Sequence, residues 1–193
     1  MEGFKPCLAE PDVWMRAAGK VYEYIAVYVD DLALAMLDPS AFIRILVDKH
    51  KFQVKGSGEL TFHLGANFVC DPDGTLIMSP TKYVTERLVA SYECMFGTKP
   101  SQTVLSPLDP GDHPELDDSE LLDEDGTQRY QSLIGSLQWV FSLGRFDIAC
   151  AVMTMSSFRA APCRGHLEHL KRICGYLLKM RHFGIRFSYC RLQ

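Results

Sequence analysis

With 193 residues, 47% of them hydrophobic and 11% aromatic, the chain has enough apolar material to bury a core, which excludes disorder throughout. No run approaches the roughly 20 consecutive apolar residues of a membrane-spanning helix, and Glu2 and Lys5 around Phe4 do not make a signal peptide, so an intracellular location is expected. The net charge of −4 excludes a nucleic-acid partner only on average: nine acids and no Lys or Arg lie between Asp109 and Asp125, whereas Arg159, Arg164, Lys171, Arg172, Lys179, Arg181, Arg186 and Arg191 face only Glu168.

In chain order, Val21 to Val29 clusters β-branched and aromatic residues and predicts a strand. Leu32 to Leu37 predicts a second, with Asp30 and Asp31 at the turn between them. Asp38-Pro39-Ser40 supplies a helix start, and Phe42, Ile43, Leu46 and Val47 continue at helical spacing to about Lys51. Gly56, Ser57 and Gly58 break the chain before an apolar stretch, Leu60 to Val69, that predicts another strand. Asp71-Pro72-Asp73-Gly74 is a turn leading to a short strand, Thr75 to Met78.

From Ser79-Pro80 the pattern turns helical and ends at Gly97. The segment from about Thr98 to Gly126 combines Pro100, Pro107, Pro110 and Pro114 with the acids, and reads as an extended, solvated connection. Three helical stretches follow, Gln128 to Leu143, Asp147 to Arg159 and Gly165 to Met180, then a strand from Gly184 to Tyr189. In the last helix Leu167, Leu170, Ile173, Cys174, Leu177 and Leu178 form one apolar stripe, leaving Arg164, Lys171, Arg172 and Lys179 for the other faces. Such a face could track a phosphate backbone, or could be an ordinary solvated face. His166 and His169 on that helix read as surface or phosphate-facing residues. Seven cysteines, an odd number without a CxxC pair, argue for free thiols over a zinc knuckle or a disulfide framework.

The sharpest chemical feature is Tyr28-Val29-Asp30-Asp31. Two acids in a turn are most often simply solvated, yet adjacent carboxylates between apolar strands repel and raise each other's pKa. A divalent cation relieves that repulsion, and magnesium prefers hard oxygen ligands of this kind together with substrate phosphates. Lys55 beside Gly56 is either a solvated loop lysine or a proton donor. Phe52, Phe62 and Phe68 read first as core packing and second as stacking platforms.

The segment Tyr24-Ile25-Ala26-Val27-Tyr28-Val29-Asp30-Asp31-Leu32 resembles, nearly residue for residue, the catalytic hairpin of copia-type retrotransposon reverse transcriptases. The resemblance continues in order through Gly58-Glu59-Leu60-Thr61-Phe62 with Leu64-Gly65, Lys82-Tyr83, Ser106-Pro107-Leu108, Tyr130 and Leu133-Ile134-Gly135-Ser136-Leu137. Asp147-Ile148-Ala149, Lys171-Arg172-Ile173, Tyr176-Leu177 and Gly184 complete it. Phe146 stands where many family members have proline, and Leu167 where they have an aromatic residue.

The resemblance implies an α+β fold: a partial palm of two β-hairpins and a helix over 1–78, followed by a mostly helical thumb. Within it, 79–97 would be the first thumb helix, 98–127 the acidic connection, 128–183 the helical thumb, and 184–193 the start of a connection toward a ribonuclease H unit. It also implies RNA-directed DNA synthesis on an RNA or DNA template–primer from deoxynucleotides. Asp30 and Asp31 would hold Mg2+ in a two-metal site, and Tyr28 would stand near the primer end or the incoming nucleotide. Lys55 would protonate the leaving pyrophosphate, and Leu64 and Gly65 would belong to the primer grip. Arg164, Lys171, Arg172 and Lys179 would contact nucleic acid in the cytoplasm, a virus-like particle or the nucleus. The family's first catalytic aspartate and its fingers lie upstream of the matched region, so the isolated chain is expected to have little or no polymerase activity. The alternative reading is a noncatalytic remnant that only binds nucleic acid or a partner chain.

Overall fold

The run Val21–Tyr28 is the third strand of its sheet. Two strands that the sequence pattern does not reveal, β1 (Lys5–Pro6) and β2 (Val13–Ala18), precede it, and β3 (Val21–Tyr28) and β4 (Asp31–Ala35) complete an antiparallel sheet in the order β1-β2-β3-β4. β2 escapes a pattern search because five of its six positions are half-buried, which blurs the alternation of a one-sided strand. The computed structural model describes residues 2–188 and separates into two compact units, Met1–Leu60 and Thr61–Gln193. The first unit is a four-stranded sheet with a helix, and the second of the two expected hairpins, around the turn at Asp71 to Gly74, lies in the second unit.

In the first unit the helix starts where Asp38 and Pro39 place it. The Ala41 N–H donates to Asp38 Oδ1 at 2.8 Å, α1 spans Pro39–Arg44, and a π-helical stretch carries it on to Lys49. Phe42 and Leu46 from this helix pack with Phe4 and Ile25, backed by Trp14, Val27, Leu34 and Met36. One face of the sheet is thereby covered. Glu23 on that face is buried, accepting from Arg16 Nε at 2.7 Å and the Leu37 N–H at 3.0 Å, and these two bonds hold its carboxyl below the usual glutamate range.

The second unit contains another antiparallel sheet, β5 (Phe62–His63), β6 (Ala66–Cys70), β7 (Leu76–Ser79) and β8 (Ile185–Phe187), in that order. The single strand predicted over Leu60 to Val69 is in fact a hairpin. Leu64 (φ +50°) and Gly65 (φ +87°) form its two-residue turn, with His63 paired to Ala66. Two positive φ values are the signature of a type I′ turn, a conformation leucine rarely enters, so the sequence carries only half the usual signal. The strand β8 pairs with β7, and Tyr189, at the end of the predicted closing strand, lies outside the described residues.

After β7 the chain enters a helix, π-helical over Tyr83–Leu88 and α-helical over Val89–Phe96 (α2), stopped by Gly97 in the left-handed conformation (φ +70°). The helices α3 (Glu124–Ser142), α4 (Ala149–Ser156) and α5 (Arg164–Lys179) follow. They enclose Leu133, Ile134, Leu137, Val140, Ile148, Val152, Met155, Leu170, Ile173 and Leu177, all without solvent exposure, against Val84, Leu88 and Tyr92. Helix α3 begins inside the acidic run, where Asp123 caps it by accepting the Gly126 N–H at 2.8 Å. At Gly175 a Cβ would collide with the Ser101 carbonyl oxygen, so glycine lets the connecting segment lie directly on α5.

No disulfide links the described cysteines. Cys70, Cys94 and Cys150 are exposed, whereas Cys163 and Cys174 are buried and burial pushes the Cys174 thiol up to about 12. A thiol reagent at neutral pH is expected to modify the three exposed cysteines of the native chain and to reach Cys163 and Cys174 only after denaturation. Mass spectrometry of the labelled peptides checks this, and rapid native labelling of Cys174 would contradict the packing.

Candidate functional site

The β3–β4 hairpin turns through two residues, and they are Val29 and Asp30. Tyr28 and Asp31 are direct cross-strand partners, so Asp31 is the first residue of β4 and not part of the turn. Val29 has φ +55° while Asp30 does not have a positive φ, which is the sign pattern of a type II′ turn. Such a turn normally has glycine at its first central position. A β-branched residue there stores backbone strain, at a position that is itself exposed.

The hairpin places the acids on open ground. Side chains of directly opposed residues share a sheet face, so Tyr28 and Asp31 lie together, with Tyr24 and Tyr22 at alternate positions behind them. This face is the one that α1 does not cover. Tyr22, Tyr24 and Tyr28 are 57%, 40% and 55% exposed, while Glu23 and Ile25 between them are buried. Asp30 and Asp31 are exposed, and neither makes an ion pair or a side-chain hydrogen bond among the described residues. Two adjacent carboxylates with uncommitted oxygens, at the end of an aromatic face, fit a hard divalent cation.

The other predicted site residues are distributed as follows. Lys55 is exposed in the irregular stretch after the first helix and has no partner among the described residues. Phe52 and Phe62 are exposed, contrary to the expectation of core packing, and Phe68 is half-buried. Leu64 and Gly65 form the β5–β6 turn in the second unit, where a Cβ on Gly65 would touch Trp139 and Leu143 at 3.4 Å.

On α5 the structure changes the expected picture of the basic face. The acidic connection is mostly exposed, as expected, but it is pinned along the helix. Arg164 pairs with Glu120 at 2.9 Å and Arg172 with Asp109 at 2.5 Å, Arg172 also donating to the carbonyl and hydroxyl of Ser106. His169 is 3.6 Å from Asp112, and Lys171 is paired within the helix to Glu168 at 2.6 Å. Of the four α5 cations expected to contact nucleic acid, only Lys179 lacks a carboxylate partner among the described residues.

No protein-family model matches the chain, and no solved structure does. Known relatives do. The Retrovirus-related Pol polyprotein from transposon RE1 of Arabidopsis thaliana is 32% identical over 95% of this chain, which covers 12% of that protein. The putative transposon Ty5-1 protein of Saccharomyces cerevisiae is 30% identical over 96% of the chain and is covered to 58%. The chain is a retrotransposon Pol homologue. A second Arabidopsis polyprotein, from transposon RE2, agrees at 28% identity over 95% of the chain. The chain thus spans less than two thirds of each of these relatives.

Two features of this Pol segment are invisible to sequence reasoning. His166 is buried, not surface-facing. Its Nδ1 accepts the Cys163 N–H at 3.2 Å and its Nε2 donates to the Pro114 carbonyl at 2.8 Å, so the ring locks the connection onto the start of α5. Asp117, Cys163 and His166 sit close enough to suggest a metal site, but both imidazole nitrogens are committed to backbone groups and Asp117 accepts the Ser119 N–H at 2.9 Å. Arg145, only 1% exposed, donates from Nε and Nη2 to both oxygens of Asp147 at 2.9 and 2.7 Å. Only the burial of Arg145 itself distinguishes this Arg-x-Asp from an ordinary surface pair.

Proposed function

We propose that this Pol segment belongs to an RNA-directed DNA polymerase and supplies the carboxylates that hold magnesium at the primer terminus. The observation that carries the proposal is the tight β3–β4 hairpin, which presents Asp30 and Asp31 exposed, and without partners among the described residues, at the end of a tyrosine-bearing sheet face that α1 does not cover. When bound there, magnesium would activate a primer hydroxyl and neutralise the departing pyrophosphate. The chain's own residues position the reactants. Asp30 and Asp31 hold the cation, and the Tyr28 ring on the same face as Asp31 offers an apolar platform beside the primer end or incoming nucleotide.

Lys55, exposed and without a partner among the described residues, is the proposed proton donor to the leaving group. The Leu64–Gly65 turn is the proposed primer grip. By the same reading, the strands of the first unit correspond to part of a palm and the helices of the second to a thumb, and the partners are a template–primer and deoxynucleotides. Among the described residues no helix is long and apolar enough to cross a membrane.

The test is an exchange. With this chain substituted for the matching segment of the transposon RE1 polyprotein, magnesium-dependent primer extension is expected, and without the segment none. A correctly folded exchange protein that fails to extend a primer on either an RNA or a DNA template would sink the proposal.

A further inference from the structure

The acids that lie along α5 leave its carboxy-terminal end untouched. There the helix meets the start of the helix that follows β7: the Thr81 hydroxyl donates to the Arg181 carbonyl at 2.8 Å, and Ser79 and Thr81 share a hydroxyl contact of 2.9 Å. The two segments that meet, 79–83 and 176–188, contain no Asp or Glu. They carry Lys82, Lys179, Arg181 and Arg186.

Among the described residues Lys82, Lys179 and Arg181 have no carboxylate partner. Arg181, just past the end of α5, donates to that helix's Leu178 carbonyl at 3.3 Å, whereas Arg186 is held by Asp71 at 2.8 Å. Glu86, one turn beyond Lys82 and exposed, is the acid nearest in sequence. Aromatic rings are interleaved with the cations. The Lys82 ammonium lies 5.3 Å from the centre of the half-exposed Phe62 ring, the Lys82 N–H donates to Asn67 Oδ1 at 2.8 Å, and Phe183 is half-exposed two residues after Arg181.

We propose that this junction, and not the acid-lined length of α5, is where the segment binds a single nucleic-acid strand, with phosphates on Lys82, Lys179 and Arg181 and a base on Phe62. The proposal rests on the polymerase reading above and specifies which surface of the second unit serves it. Free cations next to exposed rings are the chemistry of sequence-independent strand binding, in which rings stack on bases and ammonium groups track the backbone. Along the rest of α5 a phosphate would have to displace Asp109 from Arg172 and Glu120 from Arg164, against the repulsion of the neighbouring acids.

The test is fluorescence anisotropy of the full chain with a labelled single-stranded oligonucleotide of mixed sequence, titrated across a range of salt concentrations. Losing three phosphate contacts in Lys82→Ala/Lys179→Ala/Arg181→Ala should flatten the log–log salt dependence by about 2. Lys82→Ala alone, a change at an exposed side chain, should flatten it by about 0.7 and guards against misfolding of the triple variant. Phe62→Leu should weaken binding roughly fivefold or more with the slope unchanged, because it removes a ring and no charge. Arg164→Gln should leave both quantities where they are.

A wild-type chain that binds while the triple and single lysine variants keep its slope overturns this surface and leaves the polymerase reading intact. The surface is equally overturned if Arg164→Gln flattens the slope as much as the triple change, or if a blunt duplex binds as tightly as the strand. A wild type without salt-dependent binding removes both the surface and the polymerase reading.

Discussion

Replacing Asp147 with alanine is expected to destabilise the second unit by about 3 kcal/mol, whereas Arg145→Met should cost much less. The asymmetry follows from burial. Arg145 is 1% exposed and its Nη1 has no hydrogen-bond partner among the described residues, so removing Asp147 strands a guanidinium already short of one bond. The Asp147 side chain, at 29% exposed, can turn to water when the arginine is gone. The rings of Tyr176 and Phe183, whose centres lie 5.8 and 5.7 Å from the guanidinium carbon, give a methionine an apolar bed. Urea unfolding of both variants checks the order, and an Arg145→Met protein as unstable as Asp147→Ala would refute the argument.

The same pair sets an acid limit. Burial works to raise the Asp147 pKa, but the Arg145 hydrogen bonds and charge, helped by the Tyr176 hydroxyl, outweigh it and hold the carboxyl below its ordinary 3.8. A depressed folded-state value means that the pair's contribution is complete above the unfolded pKa and is lost as pH falls through the folded one. The wild-type chain should therefore lose stability below about pH 4 more steeply than Asp147→Ala, which has no such contribution to lose.

The hairpin was legible because two apolar β-branched runs flank a pair of acids, and that pattern has few other solutions. Its turn was misplaced by one residue for a physical reason. Val29 accepts a positive φ that its side chain disfavours, so the residue that makes the bend carries no turn signal, and the acid after it does. The β5–β6 hairpin hid in the same way, behind Leu64 at φ +50° and a strand of only two residues.

The connection deceived by composition. Its acids and prolines do favour solvent, but Arg172 reaches Ser106, 66 residues away, and His166 reaches Pro114, 52 away, and no local pattern records such meetings. The basic excess on α5 was real as a count and misleading as a surface, since its partners come from the acidic run itself. Arg145 shows the remaining blind spot. Charge and spacing are properties of the chain, whereas a guanidinium becomes a structural element only when a fold closes over it.

In the exchange protein, Asp30→Asn is expected to lower primer extension by at least about a hundredfold, the scale on which removing one preorganised charge-stabilising group acts. The same substitution in the isolated chain should leave the thermal midpoint unchanged or raise it slightly. These two outcomes share one cause. Asp30 and Asp31 are exposed and have no cationic or hydrogen-bonding partner among the described residues, so the fold gains nothing from either charge and bears their mutual repulsion. A carboxylate that matters to the fold looks different: Glu23 has Arg16 and the Leu37 amide, and Asp147 has both arms of Arg145. Asp31→Asn should behave likewise, since it stands on the same sheet face as Tyr28, one residue along. Primer extension that survives either change within about tenfold would show that these carboxylates do not hold the catalytic cation. A midpoint that falls by several degrees in the isolated chain would show that these carboxylates serve the hairpin itself.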